Sequence, residues 1–549
     1  MPCVLQIQGG GNAGNALTCA ARLGLNPRLI SKVADDAQGR GILEEFEADG
    51  VDTSYFVDEE KIVGEGRASL DGFANSIVPL FPHLKSWFRP PPLCHVLIYT
   101  SNGVVDISYF LNRTEYNMAT LWTTRRDSSF SVIVVMCIVF IVFFKGCSVV
   151  LALNYTNYKR VSSLRIERIQ IHLNKINKPA IKTIESPDGD IIDCVRRHKQ
   201  PALDHPILRN HRIQRVPPER PRFKVSAEEN MMKNLTGSEH AWQVWHQSGD
   251  KCPKGTVPIR RSSVHDVLRA KSLYHYGKKP TRLHLDRHVD APDVGSGDGH
   301  EHAFAYTGTS QEIYGAKATI NVWDPKVEVV NEFSLSQIWI LSGSYDDSGL
   351  NTIEAGWQVC PQLYGDSRPR LFTYWTRDAY QATGCYNLLC AAFVQTSNKI
   401  AIGAAISPVS SVSSNQYDIT IVIWKDPKQG CWWLAFGDTV IGYWPAELFT
   451  HLADHATSVE WGGEVVNSRS NGKHTSTQMG SGHFAQDGFG QSSFFRNLEV
   501  VDADNSLSSA QHISTVTANP NCYNIKTFYS DGWGTHFYFG GPGYNPQCQ

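Results

Sequence analysis

The nonapeptide FSLSQIWIL, residues 333–341, sets small polar residues between apolar ones and then runs into isoleucine and tryptophan. Three similar stretches lie near it: ATINVWD (318–324), YDITIVIW (417–424) and CWWLAFG (431–437). All are short, rich in β-branched and aromatic residues, and separated by Gly, Asn, Asp and Pro. Such runs fit pleated, half-buried surfaces, and the spacing predicts an antiparallel β-sandwich over residues 291–549. Ten of the chain's 14 tryptophans fall in this region. Most are expected in the core, with one or two available to line a groove.

The 549-residue chain has room for several domains, and its net charge of −2 hides an asymmetry. Residues 155–290 carry 27 Lys and Arg against 14 Asp and Glu, whereas residues 291–549 carry 12 against 24. Two neighbouring segments of opposite sign are expected to dock. The basic segment shows no nucleic-acid module, so no nucleic-acid partner is expected. Within it, SSLRIERIQIHLNKIN has helical spacing; the proline-rich remainder is expected to be mostly extended.

Residues 118–153 begin at a methionine, pass Arg125 and Arg126, and run apolar from Val132 to Phe144 before Lys145. This is the order of a secretory signal peptide, with cleavage after Ala152. The run is short for a bilayer, so a membrane partner is expected only if residues 132–153 stay as an anchor. Export would make the sequons at Asn154 and Asn234 usable for glycosylation.

Conventional catalytic motifs are missing. There is no His-Glu-x-x-His helix and no Gly-x-Ser-x-Gly elbow. HEH at 300–302 is too compact for a zinc helix, although in a strand its two histidines would share a face; no metal and no cofactor are expected. DDSG at 346–349 reads as a turn. Two stretches do place a glutamate in an aromatic setting: NTIEAGWQVCPQLYGD (351–366), with Glu354 three residues before Trp357, and GDTVIGYWPAELF (437–449), with Glu447 after Tyr443, Trp444 and Pro445.

From about residue 160 to the end, these stretches together with KTIESPDGDIIDCVRRHKQPALDHPILRNHRIQRVPPERP (182–221) and CPKGTVPIRR (252–261) resemble the neprosin family of glutamic peptidases with its activation peptide. The resemblance implies a secreted zymogen, residues 154–290 being the inhibitory propeptide, that cleaves after proline in acid, in a cell wall or acidic compartment. It implies Glu354 and Glu447 as the catalytic pair, side by side on a concave face. Trp357, Tyr443 and Trp444 are the candidates to pack against the substrate's proline ring. It also implies the disulfides Cys385–Cys390 and Cys522–Cys548. Cys360 and Cys431 remain as buried thiols or an extra bridge, and Cys194 and Cys252 pair or stay free. The rival reading is an inactive sandwich that binds cell-wall carbohydrate through exposed aromatics.

QGGGNAGNALTCAARLGLNPRLISKVADDAQGRGILEEFEADGVDTSYF (8–56) resembles the start of a ribokinase-type sugar kinase, through Gly10, Gly11, Asn12, Asn15, Asp35, Asp36 and Gly39. The resemblance covers about residues 1–72, within a truncated α/β fragment of residues 1–75, and lacks the family's later Gly-Ala-Gly-Asp motif, so phosphoryl transfer is not expected. Residues 76–117 match no pattern. The chain therefore reads as two coding regions joined, a kinase fragment and then a secreted protein beginning at Met118.

Overall fold

The alternating runs do form strands. The structure, a computed structural model, describes residues 97–100, 103–106, 165–223, 238–279, 299–308, 311–345, 348–469 and 473–549. The kinase-like segment, the signal-like segment, Asn154 and Asn234 lie outside the described residues. A short hairpin pairs Leu97–Thr100 with Gly103–Asp106. No described helix is long and apolar enough to cross a membrane.

Two sheets, antiparallel apart from two short strands of the larger one, pack face to face. The six-stranded sheet runs, in spatial order, Arg370–Thr376, Asn351–Val359, Ser334–Ser342, Ser458–Val466, His300–Tyr306 and Ser514–Thr517. The larger one has eleven strands, built around Gln416–Lys425, Gly315–Asn321 and Ser493–Val501. Between them lie Ile338, Ile340, Ile353, Trp357 and Trp461 from one side and Ile320, Ile421, Ile423 and Phe495 from the other, all at most 1% exposed. Each such aliphatic or aromatic side chain contributes about 1.5–3 kcal/mol on burial, so this layer dominates the stability of the sandwich. Across it, Trp357 Nε1 donates to the Asn321 carbonyl at 2.9 Å.

The basic segment is more structured than its composition suggests. A helix covers residues 165–176, as its spacing predicts. Ala180–Glu185, Ile191–Arg196 and Thr256–Arg260 then form a three-stranded antiparallel sheet, where an extended chain was expected. The reason lies in Ile184, Ile192, Cys194, Trp245 and Cys252, which bury together, and in a Cys194–Cys252 disulfide. Two further pieces, Arg222–Phe223 and Ser238–His240, add themselves as parallel strands to the eleven-stranded sheet.

Docking does not follow net charge alone. Asp190, on the basic segment, meets Arg370 of the sandwich at 2.5 Å, and Glu219 meets Lys428 at 3.6 Å. Other pairs have the expected sense, Lys279 with Glu354 among them. Local geometry, rather than opposed bulk charge, sets the contact.

Both expected disulfides, Cys385–Cys390 and Cys522–Cys548, are present. Cys360 and Cys431 are buried free thiols, not a bridge. Burial pushes each thiol up to about 11, which leaves them unreactive at neutral pH.

Candidate active site

The outward face of the six-stranded sheet carries the polar groups. In register across it lie Tyr306, Glu460, Trp339, Glu354 and Tyr374. The next row is Phe304, Gly462, Gln337, Gly356 and Phe372, and the third is His302, Glu464, Leu335, Gln358 and Arg370. Gln337 thus has glycine on both neighbouring strands, so a trough opens beside it with Glu354 on one side and Glu464 on the other.

The glycines are required there. A Cβ on Gly356 would stand 2.0 Å from the Ser336 carbonyl oxygen, and one on Gly462 would stand 2.3 Å from that of Ala303. Both neighbours are backbone and cannot rotate away. Gly462→Ala is expected to cost about 3 kcal/mol, the upper end of ordinary overpacking. Calorimetry should read this as a melting temperature lower by several degrees; an unchanged melting temperature would show that the strands spread freely.

Both carboxylates are fully buried, and one ammonium joins them. Lys279 Nζ lies 2.6 Å from Glu354 Oε2 and 3.9 Å from Glu464 Oε2, with its side chain only 2% exposed. It sits 5.2 Å from the ring centres of both Tyr374 and Tyr380. Glu354 Oε1 accepts from Tyr380 Oη at 2.7 Å and Thr352 Oγ1 at 3.0 Å. Gln337, with its amide turned to donate to Glu354 Oε2 at 3.3 Å, accepts from Trp339 Nε1 at 2.5 Å. Glu464 Oε1 faces His300 Nδ1 at 2.5 Å and His302 Nε2 at 3.7 Å. Burial opposes ionisation of Glu464, but Lys279 and the two histidines outweigh it and hold its carboxyl well below the usual range.

Lys279 is delivered by a strap from the basic segment. The helix Val264–Arg269 starts at a Ser263–Asp266 capping box, and Arg269 is anchored to the Gln362 carbonyl at 3.0 Å. The chain then turns through Gly277, at φ +78, whose carbonyl accepts from the Tyr386 amide at 2.7 Å. Tyr374 Oη accepts from the Lys279 amide at 3.2 Å. Backbone contacts at Gly277 and at Lys279 itself aim the side chain between the two glutamates.

Of the sequence-predicted residues, Glu354 is in this site and Glu447 is not. Glu447 is exposed, on the 3-10 turn Ala446–Leu448 that follows a strand of the other sheet. It is one of the charges felt by His211, Lys425 and Cys431. Pro445 ends that strand, because proline offers no ladder donor, and the next residues turn outward. The expectation that Glu354 and Glu447 lie side by side is therefore corrected: the glutamate that shares Lys279 with Glu354 is Glu464.

The three aromatic candidates are core residues, each 0% exposed. Trp357 points between the sheets. Trp444 stacks edge-on with Phe393 at 4.5 Å. Tyr443 Oη is covered by the Gln214 amide at 3.0 Å and His211 Nε2 at 2.7 Å. The aromatics that do reach the site are Trp339, Tyr374, Tyr380 and Tyr386. Sequence reasoning leaves out Glu464 and Lys279, and it weighs His300 and His302 only for a metal, although the shared face it expects for them is the one found. A signal existed for Glu464: in SVEWGGEVV (458–466), a carboxylate within an apolar strand next to paired glycines has no solvent face to occupy.

Residues 330–542 match the family model described as Neprosin, and residues 183–306 match that of the Neprosin activation peptide. The activation-peptide match thus precedes the Neprosin match along the chain. Lys279 falls within the matched activation peptide, and Glu354 and Glu464 within the matched neprosin region. The activation-peptide match reaches the His300–Tyr306 strand, which is integral to the six-stranded sheet.

Among solved structures, Scytalido-glutamic peptidase with a peptide-based transition state analog is similar at 12% identity, over 44% of this chain and 98% of that one, with a TM-score of 0.26. SCP-B of the eqolisin family, in complex with a tripeptide, is similar at 11% identity over the same shares, with a TM-score of 0.24. Residues 5–79 match the pfkB family carbohydrate kinase model. A 5-dehydro-2-deoxygluconokinase of Geobacillus thermodenitrificans (strain NG80-2) is 33% identical over 98 residues, 18% of this chain, and the chain spans only 24% of that relative's length.

Proposed function

We propose that the chain is the latent form of a glutamic endopeptidase, with Glu354 and Glu464 as its catalytic carboxylates and Lys279 as the group that silences them. The observation that carries this reading is the buried Lys279 ammonium between two fully buried glutamates. Amide hydrolysis by water needs a base to take a proton from the water and an acid to protonate the leaving nitrogen. Two carboxylates facing one trough supply both once the lysine has gone. Water then adds to the carbonyl carbon as one carboxylate takes its proton, and the other gives its proton to the departing nitrogen as the C–N bond breaks. Preference for cleavage after proline rests on the family match alone, and Tyr374, Tyr380 and Tyr386 are the surfaces on which that ring would lie. The three disulfides suit an oxidising compartment, in keeping with export.

Acid opens the lock in this reading. A carboxyl held below its ordinary value contributes binding while it is ionised. For Glu464 that contribution is complete above 4.5 and is lost as the pH falls through the lowered value. Because the ion pair is buried, salt screens it weakly. The prodomain should therefore leave below pH 4.5 and stay bound in strong salt at neutral pH, as followed by gel filtration after cleavage. Release by salt alone would remove Lys279 from the account. The function itself is tested by digesting a proline-containing peptide with the acid-treated chain. No turnover by a folded sample freed of residues 264–279 would overturn it.

A further inference from the structure

The histidine strand is the part of the site that the lock does not explain. His300 and His302 lie on one face of His300–Tyr306, 5% exposed each, with their rings stacked 6.5 Å apart at 21°. Both address the same oxygen of Glu464, whereas Glu301 between them turns to the opposite face and meets His474 at 2.8 Å. Lys279 leaves with the prodomain, but the histidines belong to the sheet and stay. Glu354 has a different environment, made of hydroxyl and amide donors from Tyr380, Thr352 and Gln337.

We propose that His300 and His302 are positioning residues that keep Glu464 ionised as the base after Lys279 has left, and that Glu354 is thereby the acid. This rests on the two-carboxylate reading above. With Lys279 gone, the two imidazoles still stand beside the Glu464 carboxylate, so they set how far into acid it stays ionised. Among the described residues, the charged and titratable groups around Glu464 are Lys279 from the strap, His300 and His302 from the adjacent strand, Glu354 beyond the lysine, and Tyr386, whose hydroxyl is pushed up by burial and by Cys360 and both glutamates. Among these described groups Lys279 leaves with the prodomain, whereas the histidines stay on the sheet.

The test is the pH profile of kcat for the acid-activated chain carrying His300→Asn or His302→Gln. The acid limb should move up by about one pH unit in each, so that turnover on the acid side falls about tenfold, as expected for one unit of titration. KM should be nearly unchanged and the rate at the new optimum largely restored. His302→Gln is the milder change, since its ring is 3.7 Å from the carboxylate. A second readout is the pH at which the prodomain is lost, which should rise in the same variants. An active His302→Gln enzyme with its acid limb and release pH in place would overturn the proposal, whatever its overall rate. If Glu354→Gln and Glu464→Gln are silent while both histidine profiles stay put, this inference alone fails. If those glutamine variants turn over normally, the carboxylate reading fails first.

Discussion

Replacing Glu464 by glutamine is expected to lower turnover of a peptide in acid by about a thousandfold or more, within the range lost with a general acid or base. The fold should survive, because glutamine fills the same volume and can still accept from His300. Glu354→Gln should fall as far, since each carboxylate needs the other. Glu447→Gln should change the rate by no more than about twofold, as for a surface substitution away from any special feature. The three enzymes, compared by circular dichroism and by kcat on one proline-containing peptide, separate the geometric pair from the one that the motif suggests. A silent Glu447→Gln beside an active Glu464→Gln would reverse the assignment made from the structure.

The second large effect concerns latency. Lys279→Met keeps the length of the side chain and deletes its charge. Removing one partner from a buried ion pair costs about 3–5 kcal/mol, because the other charge is left without compensation. On the prodomain's hold this corresponds to a weakening of about 10²-fold to several thousandfold. The intact variant should therefore hydrolyse peptide at mildly acid pH, where the unaltered chain is still silent. Adding Glu464→Gln should abolish that activity, which excludes a contaminating peptidase. A Lys279→Met chain as latent as the original would mean that the strap blocks the trough by bulk alone.

The difference between what could be read and what could not is physical. Strand alternation is local, so the sandwich was legible from runs such as 333–341, and the two sandwich disulfides followed from the family resemblance. The site was half legible. Glu354 stands next to its own motif, but its partner is two strands away in space and 110 residues away in sequence (464 − 354). Glu447 attracted attention because tryptophan and tyrosine surround it in sequence. In the fold those rings point inward, and the carboxylate after Pro445 points to water. Nothing local marks Lys279, whose role exists only once the strap is laid over the sheet. Similarly, HEH reads as a poor metal motif until Glu464 is seen opposite it.

The two parallel strands that the prodomain lends to the eleven-stranded sheet have a consequence for the protein after maturation. Arg222–Phe223 and Ser238–His240 cap backbone groups of Ser506–Leu507 and Gln416–Asp418. When they leave, water must take over those amides and carbonyls, and the sheet gains open edges. Each stretch is only two or three residues long, with Asp418 inside one of them, paired to Arg496 at 2.7 Å. Short, charged borders of this kind are poor templates for another chain. The matured protein can therefore shed its covering without becoming adhesive, and its colloidal behaviour at high concentration should resemble that of the precursor.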